Sequence, residues 1–287
     1  MTIRKLTPQN DGYPAILAMI ASPPKQLFVL GTTPTDLLEL PAVAIVGSRK
    51  VSSYGQRVTE ELADALARRD ITIVSGLALG VDAIAHRSAI GAGGAAIAVL
   101  PSGLDEIYPA SNRNLAKQIL QTGGCLLSEY PEHTESFQSN FVARNRIVSG
   151  LAKVLLITEA AENSGSLHTA KFALDQGREV AAVPGSIYNQ TSKGTNNLIK
   201  AGATPVTDVE DILRLLGLTD KPLVKTEIIA ATKEEYIIMD LINRGVIDGQ
   251  ELLGQSKLDT AIYNQALTML EISGKIKAAG NDQWYLT

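Results

Sequence analysis

Six apolar runs of strand length, near residues 42–46, 71–75, 95–100, 124–128, 153–158 and 179–183, alternate with segments of helix length near 54–69, 82–92, 111–122, 141–150, 165–177 and 208–216. The run Ala42-Val43-Ala44-Ile45-Val46 is apolar at every position, the pattern of a strand covered on both faces. Such alternation predicts βαβ units and a parallel sheet, whose ligands bind at the strand carboxyl ends. Residues 1–40 carry Pro8, Pro14, Pro23, Pro24 and Pro34 around a short helical run, Ala15–Ala21, and a short strand, Leu27–Leu30; they read as a lead-in packed on a core domain of residues 41–217. The polar stretch Leu218-Thr219-Asp220-Lys221-Pro222 opens a linker over 218–224. In 225–287, Glu234–Asn243, Asp248–Leu253 and Asp259–Ile272 read as helices and Lys275–Leu286 as a hairpin with Asn281-Asp282 near its turn, which together predict a winged helix.

Composition narrows the class. The 287 residues are 45% hydrophobic and 20% charged, ordinary for a globular chain. No stretch of membrane-spanning length and no secretory apolar core is seen, so a cytoplasmic protein with no membrane partner is expected. The lone Cys125 lies in an apolar run, which excludes a disulfide framework or a thiolate metal site. The net charge of −4 hides an asymmetry. Between Asn140 and Lys200 seven cations face four carboxylates, whereas 225–287 carry six cations and nine carboxylates, so the two ends suit different partners.

The candidate chemistry sits in the turns after the strands. Gly47-Ser48-Arg49-Lys50 offers close backbone approach, a hydroxyl and two cations ahead of a helix whose positive end favours anions. Ser75–Asp82, Pro101-Ser102-Gly103, Asn163-Ser164-Gly165-Ser166 and Pro184-Gly185-Ser186 are similar small-residue turns, which suggests one long anionic ligand along the sheet edge. The spacing Gly47-x7-Gly55 departs from the dinucleotide fingerprint, and no G-x-x-x-x-G-K-[ST] occurs, which argues against NAD and against ATP hydrolysis. In Phe141-x-x-Arg144-Asn145-Arg146 the arginines diverge on a helix, so one can reach a phosphate while the other holds an internal carboxylate; two structural ion pairs are the alternative. Ser139, Asn140 and Asn145 suit phosphate oxygens, and Phe141 suits either a base stack, worth roughly 1–3 kcal/mol, or the core. Ser164, Gly165 and Ser166 can present N–H and hydroxyl groups, with Glu159 expected to hold a cation or to act as an ordinary helix-start acid. Ser186 and Lys193 add a second grip, or a solvated loop. Asp82 is expected to cap a helix and His86 to be structural. His86, His133 and His168 lack metal-ligand spacing, and no nucleophile and base pair is evident, so neither an enzyme nor a cofactor is expected.

Gly47-Ser48-Arg49, Ser75-Gly76-Leu77-Ala78, Gly80 through His86, Leu127 through Pro131, Arg144 through Leu151, Glu159-Ala160-Ala161, Ser164 through Leu167, and Gly177 through Ser186 resemble the DNA-processing protein A family, DprA or Smf, in order over roughly residues 10–216. The resemblance implies an extended Rossmann-like domain that binds single-stranded DNA, forms a homodimer, and helps load RecA on incoming strands in natural transformation and recombination. It also implies that Gly47, Ser48 and Arg49 contact phosphate and that the Arg144–Arg146 region lines the same pocket. Leu79 departs from the family's usual basic residue, and the helical domain that precedes the core in some relatives is expected to be absent. The end of the chain resembles the family's winged helix. Its candidate recognition helix, Asp259–Glu271, has no Lys or Arg, which favours a protein-interacting role over duplex reading. The rival is a phosphoribohydrolase of the related lonely-guy type; that family's P-G-G-x-G-T-x-x-E turn is replaced here by Glu162-Asn163-Ser164-Gly165-Ser166-Leu167, without the catalytic glutamate.

Overall fold

A computed structural model of the chain describes residues 2–218, 232–243, 246–278 and 282–286. The chain divides into two compact units, 1–221 and 222–287. In the first, the elements run β1 (Arg4–Leu6), α1 (Ala15–Ala18), β2 (Leu27–Gly31), α2 (Pro34–Leu37), β3 (Ala42–Val46), α3 (Ser53–Ala67), β4 (Thr72–Ser75), α4 (Val81–Gly91), β5 (Ala96–Leu100), α5 (Arg113–Gln121), β6 (Cys125–Ser128), α6 (Gln138–Gly150), β7 (Val154–Ile157), α7 (Ser166–Asp175), β8 (Glu179–Ala182), α8 (Lys193–Lys200), β9 (Thr204–Pro205) and α9 (Val209–Leu216).

The strands form one sheet in the order β1-β2-β6-β5-β4-β3-β7-β8-β9. From β6 to β9 all neighbours are parallel, while β2 pairs antiparallel with β6 and with β1. The expected parallel α/β core is therefore present. Its lead-in does more than pack on it, because β2 extends the sheet edge through backbone pairing with Cys125–Ser128. Alternate side chains of β3 serve the two faces: Val43 and Ile45 pack with Leu62 and Leu66 of α3 and Ile212 of α9, and Ala44 and Val46 with Ile147 of α6 and Leu17 of α1. Each buried Val, Ile or Leu among them contributes about 1.5–3 kcal/mol.

Strand order reverses between β3 and β7, because β4, β5 and β6 lie to one side of β3 and β7, β8 and β9 to the other. The turns leaving β3 and β7 diverge there and open a crevice at their carboxyl ends.

In the second unit α10 (Lys233–Asn243), α11 (Gly249–Ser256) and α12 (Thr260–Ile272) precede two antiparallel strands, β10 (Ile276–Ala278) and β11 (Trp284–Leu286). Ile238, Ile242, Leu252, Tyr263, Leu270 and Ile276 form its core. Asp248 and Asp259 stand just before α11 and α12, where their carboxylates accept from backbone N–H groups of the first turn. The expected linker beyond Leu218 and the hairpin position Asn281 lie outside the described residues. Among the described residues no helix is long and apolar enough to cross a membrane.

Candidate nucleic-acid interface

The turn after β3 is shaped by close packing. A Cβ on Gly47 would fall 2.7 Å from the Glu159 carbonyl oxygen and from Val81, so only glycine fits. The Ser48 N–H donates to the Glu159 carbonyl at 2.8 Å, and the Val81 N–H to the Ser48 carbonyl at 3.1 Å. The Ser48 hydroxyl donates to the Lys50 carbonyl at 2.8 Å and accepts from the Lys50 N–H at 3.1 Å, closing the turn on itself. This leaves Arg49 and Lys50 exposed. The Arg49 guanidinium lies over the Phe141 ring, 5.1 Å from its centroid, and Phe141 meets Tyr108 edge-on at 5.3 Å. A cation–π contact of this exposed kind, worth about 0.5–1 kcal/mol, holds the arginine ready at the crevice.

Glu159 does not hold a cation. It is buried, and its Oε2 accepts from the Ser52 N–H at 3.0 Å and hydroxyl at 2.9 Å, while Ser52 caps α3 through the Gly55 N–H. The carboxylate is thus spent on a helix start. Asp82 does not cap α4 either. Gly80 precedes that helix, and Asp82, buried in its first turn, accepts from the Gly76 N–H at 3.0 Å. Burial raises its carboxyl pKa against the opposing pull of Arg144 and of backbone N–H groups.

The two arginines of α6 diverge as their spacing requires. Arg146 donates to Glu129 at 2.6 Å and is largely covered, so it holds the internal carboxylate. Arg144 is buried at the cavity floor, donating to the carbonyls of Gly76 and Val99 and, at 3.2 Å, to Asn145. Burial lowers its pKa to about 10, which leaves it charged at neutrality. Gly76 makes the room, since a Cβ there would sit 2.3 Å from the guanidinium. His86, fully buried, is pushed down to about 3 by desolvation and stays neutral.

On the β7 side, the Ser164 and Ser166 hydroxyls hydrogen bond at 2.8 Å, and Gly165 opens α7 with free space where a side chain would stand. The two sides enclose a cavity of about 960 Å³. Gly47, Ser48, Arg49, Phe141, Arg144, Ser164, Gly165 and Ser166, all expected from the sequence, line it together. Asn140, Arg146, Ser186 and Lys193 do not. Asn140 donates to the Glu135 carbonyl at 3.4 Å, Ser186 accepts from the Tyr188 N–H at 3.3 Å, and Lys193 begins α8. Two of the small-residue turns are consumed internally: Ser102 donates to the Glu106 carbonyl, and Gly185 exchanges two hydrogen bonds with Asn196. The cavity therefore gathers at the switch point instead of running along the whole edge.

Lys50 and Asn145, whose chemistry the sequence also pointed to, line the cavity as well, together with Tyr108, His168 and Thr191, which were not expected there. Tyr108, 44% exposed, follows a strand whose turn looked like the others, so only its aromatic character beside Pro109 could have flagged it.

A model of the family described as DNA recombination-mediator protein A matches residues 4–217, the sheet unit with its cavity. The chain belongs to the DNA recombination-mediator protein A family. Protein Smf of Escherichia coli is 47% identical over 207 residues, 72% of this chain and 55% of that relative, so the chain spans about half its length. Among solved structures, DNA processing protein A from Streptococcus pneumoniae superposes with a TM-score of 0.69 at 40% identity, covering 74% of each chain. DNA processing protein A from Helicobacter pylori, described for its single-stranded DNA binding mode, superposes with a TM-score of 0.66 at 34% identity, covering 74% of this chain and 95% of that one. DprA proteins thus share the α/β sheet unit of this chain.

Proposed function

We propose that this chain binds single-stranded DNA in the switch-point cavity, as a non-enzymatic member of its family, and delivers the strand to RecA during recombination. The observation that carries the reading is the Arg49–Phe141–Tyr108 stack at the cavity mouth, where a cation for phosphate and aromatic surface for a base stand side by side. Lys50 and the Ser164–Ser166 turn supply further phosphate contacts, and buried Arg144 acts through the floor it builds. The likeness to the Helicobacter pylori protein supports the choice of a single strand. In this reading the protein is a homodimer, and the three helices and hairpin of the second unit form a winged helix that engages protein, since the exposed face of α12 bears no cation.

The test is fluorescence anisotropy of labelled oligo-dT and its duplex at two salt concentrations. Preferential single-strand binding is expected, and Arg49→Ala with Lys50→Ala should flatten the logarithmic salt slope by about 1.4, at roughly 0.7 per phosphate contact. Equal or tighter duplex binding, or a slope unmoved in the double variant, would overturn the reading. Sedimentation with and without RecA checks the homodimer and the handover.

A further inference from the structure

We propose that His168 is a phosphate contact in this cavity, giving single-strand affinity a pH-dependent part. The inference rests on the single-strand reading above.

The chain has three histidines, and the fold gives each a different surrounding. His86 is fully buried and, with its pKa pushed down to about 3, stays neutral around neutral pH. His133 sits on a surface loop, where its backbone N–H and its Nδ1, 2.8 Å away, both engage Asp105, and it does not line the cavity. His168 alone lines the cavity, exposed on the first turn of α7. The groups that share the cavity with it are Arg49 and Lys50 from the turn after β3, Arg144 from α6, Asp82 from α4, and Tyr108. Further charges on the adjoining elements are Glu159 and Glu162 between β7 and α7, Lys171 and Asp175 on α7, Lys193 and Lys200 on α8, Arg146 on α6 and Arg87 on α4.

Cations outnumber carboxylates around the imidazole, and the positive end of α7 lies beneath it, so the space suits an anion, and an imidazolium form of the ring adds to that positive charge. A DNA phosphate brings the opposite charge to the same space and favours it. Only the imidazolium form brings charge to a phosphate, so protonation and strand binding are coupled and affinity rises as the solution is made more acid. One more phosphate neutralised steepens the salt slope by about 0.7 and tightens binding about fivefold at 0.1 M salt.

The experiment measures affinity for oligo-dT without a terminal phosphate, carrying a pH-insensitive dye, from pH 5.5 to pH 8 at fixed ionic strength. Thymine does not titrate in this window. The wild-type chain should bind about fivefold more tightly at the acid end, with the steeper salt slope. His168→Gln should give a flat profile, His168→Arg a flat profile at the tighter level, and His133→Gln should retain the step. A pH-independent wild type, or a step that survives in His168→Gln, would overturn the role of His168 and leave the single-strand reading standing. Absence of binding at every pH would overturn both.

Discussion

The cavity of the sheet unit and the third helix of the second unit are the two surfaces that such an architecture offers to nucleic acid, and their chemistry is opposed. At the cavity, exposed cations stand against aromatic rings over a floor held by a buried arginine. On α12 the exposed positions include Ile262, Met269 and Ile272, and the only charge among them is Glu271. Phosphate recognition needs neutralising charge, so in the proposed reading the first surface serves a DNA strand and the second a protein. On that reading, an element order associated with DNA reading does not by itself carry the function; the side chains on its exposed face do.

Within the cavity, the cations themselves divide into structural and ligand-facing, and the largest effect tests this division. Arg144→Met should cost about 3–5 kcal/mol of unfolding free energy in urea titrations, because it strands buried Asp82 and two backbone carbonyls. Arg49→Ala with Lys50→Ala should lower stability by no more than about 1 kcal/mol, the worth of the exposed cation–π contact on Phe141. The same double variant should weaken oligo-dT binding about 25-fold at 0.1 M salt. If both pairs of measurements moved alike, the division would fail. Tyr108→Ala should weaken binding by about tenfold with the salt slope unchanged, the mark of lost stacking, as anisotropy at several salt concentrations would record. A chain ending at residue 221 should hold its oligo-dT affinity within about twofold, because α12 offers no cation to phosphate; a larger loss would erase the contrast between the two surfaces.

The parallel core was legible because β3, β5 and β7 are apolar at every position and alternate with segments of helix length. The elements that escaped notice carry weak signals. β1 is three half-polar residues at a sheet edge, and α8 begins Lys-Gly-Thr-Asn-Asn, a poor helix former held in place by the Gly194 N–H bonded to the Ala160 carbonyl at 2.8 Å. Within the site, the glycine of the turn after β3 announced a close approach, expected toward a ligand and made in the structure to the Glu159 carbonyl and Val81, and the i, i+2 spacing of Arg144 and Arg146 announced their divergence. Which arginine turned inward to a carboxylate was not readable, because Glu129 is brought to Arg146 by the strand order and not by local spacing. Glu159 misled for the same reason: its partner, Ser52, is distant in sequence and adjacent only through the pairing of β3 with β7.

The most direct test is photochemical cross-linking of the full-length chain to an oligonucleotide of iododeoxyuridine, which couples to nearby aromatic side chains, followed by mass spectrometry of the joined peptides. Adducts at Tyr108 and Phe141 are the predicted result. Adducts confined to Tyr236, Tyr263, Trp284 or Tyr285 of the second unit would contradict the account.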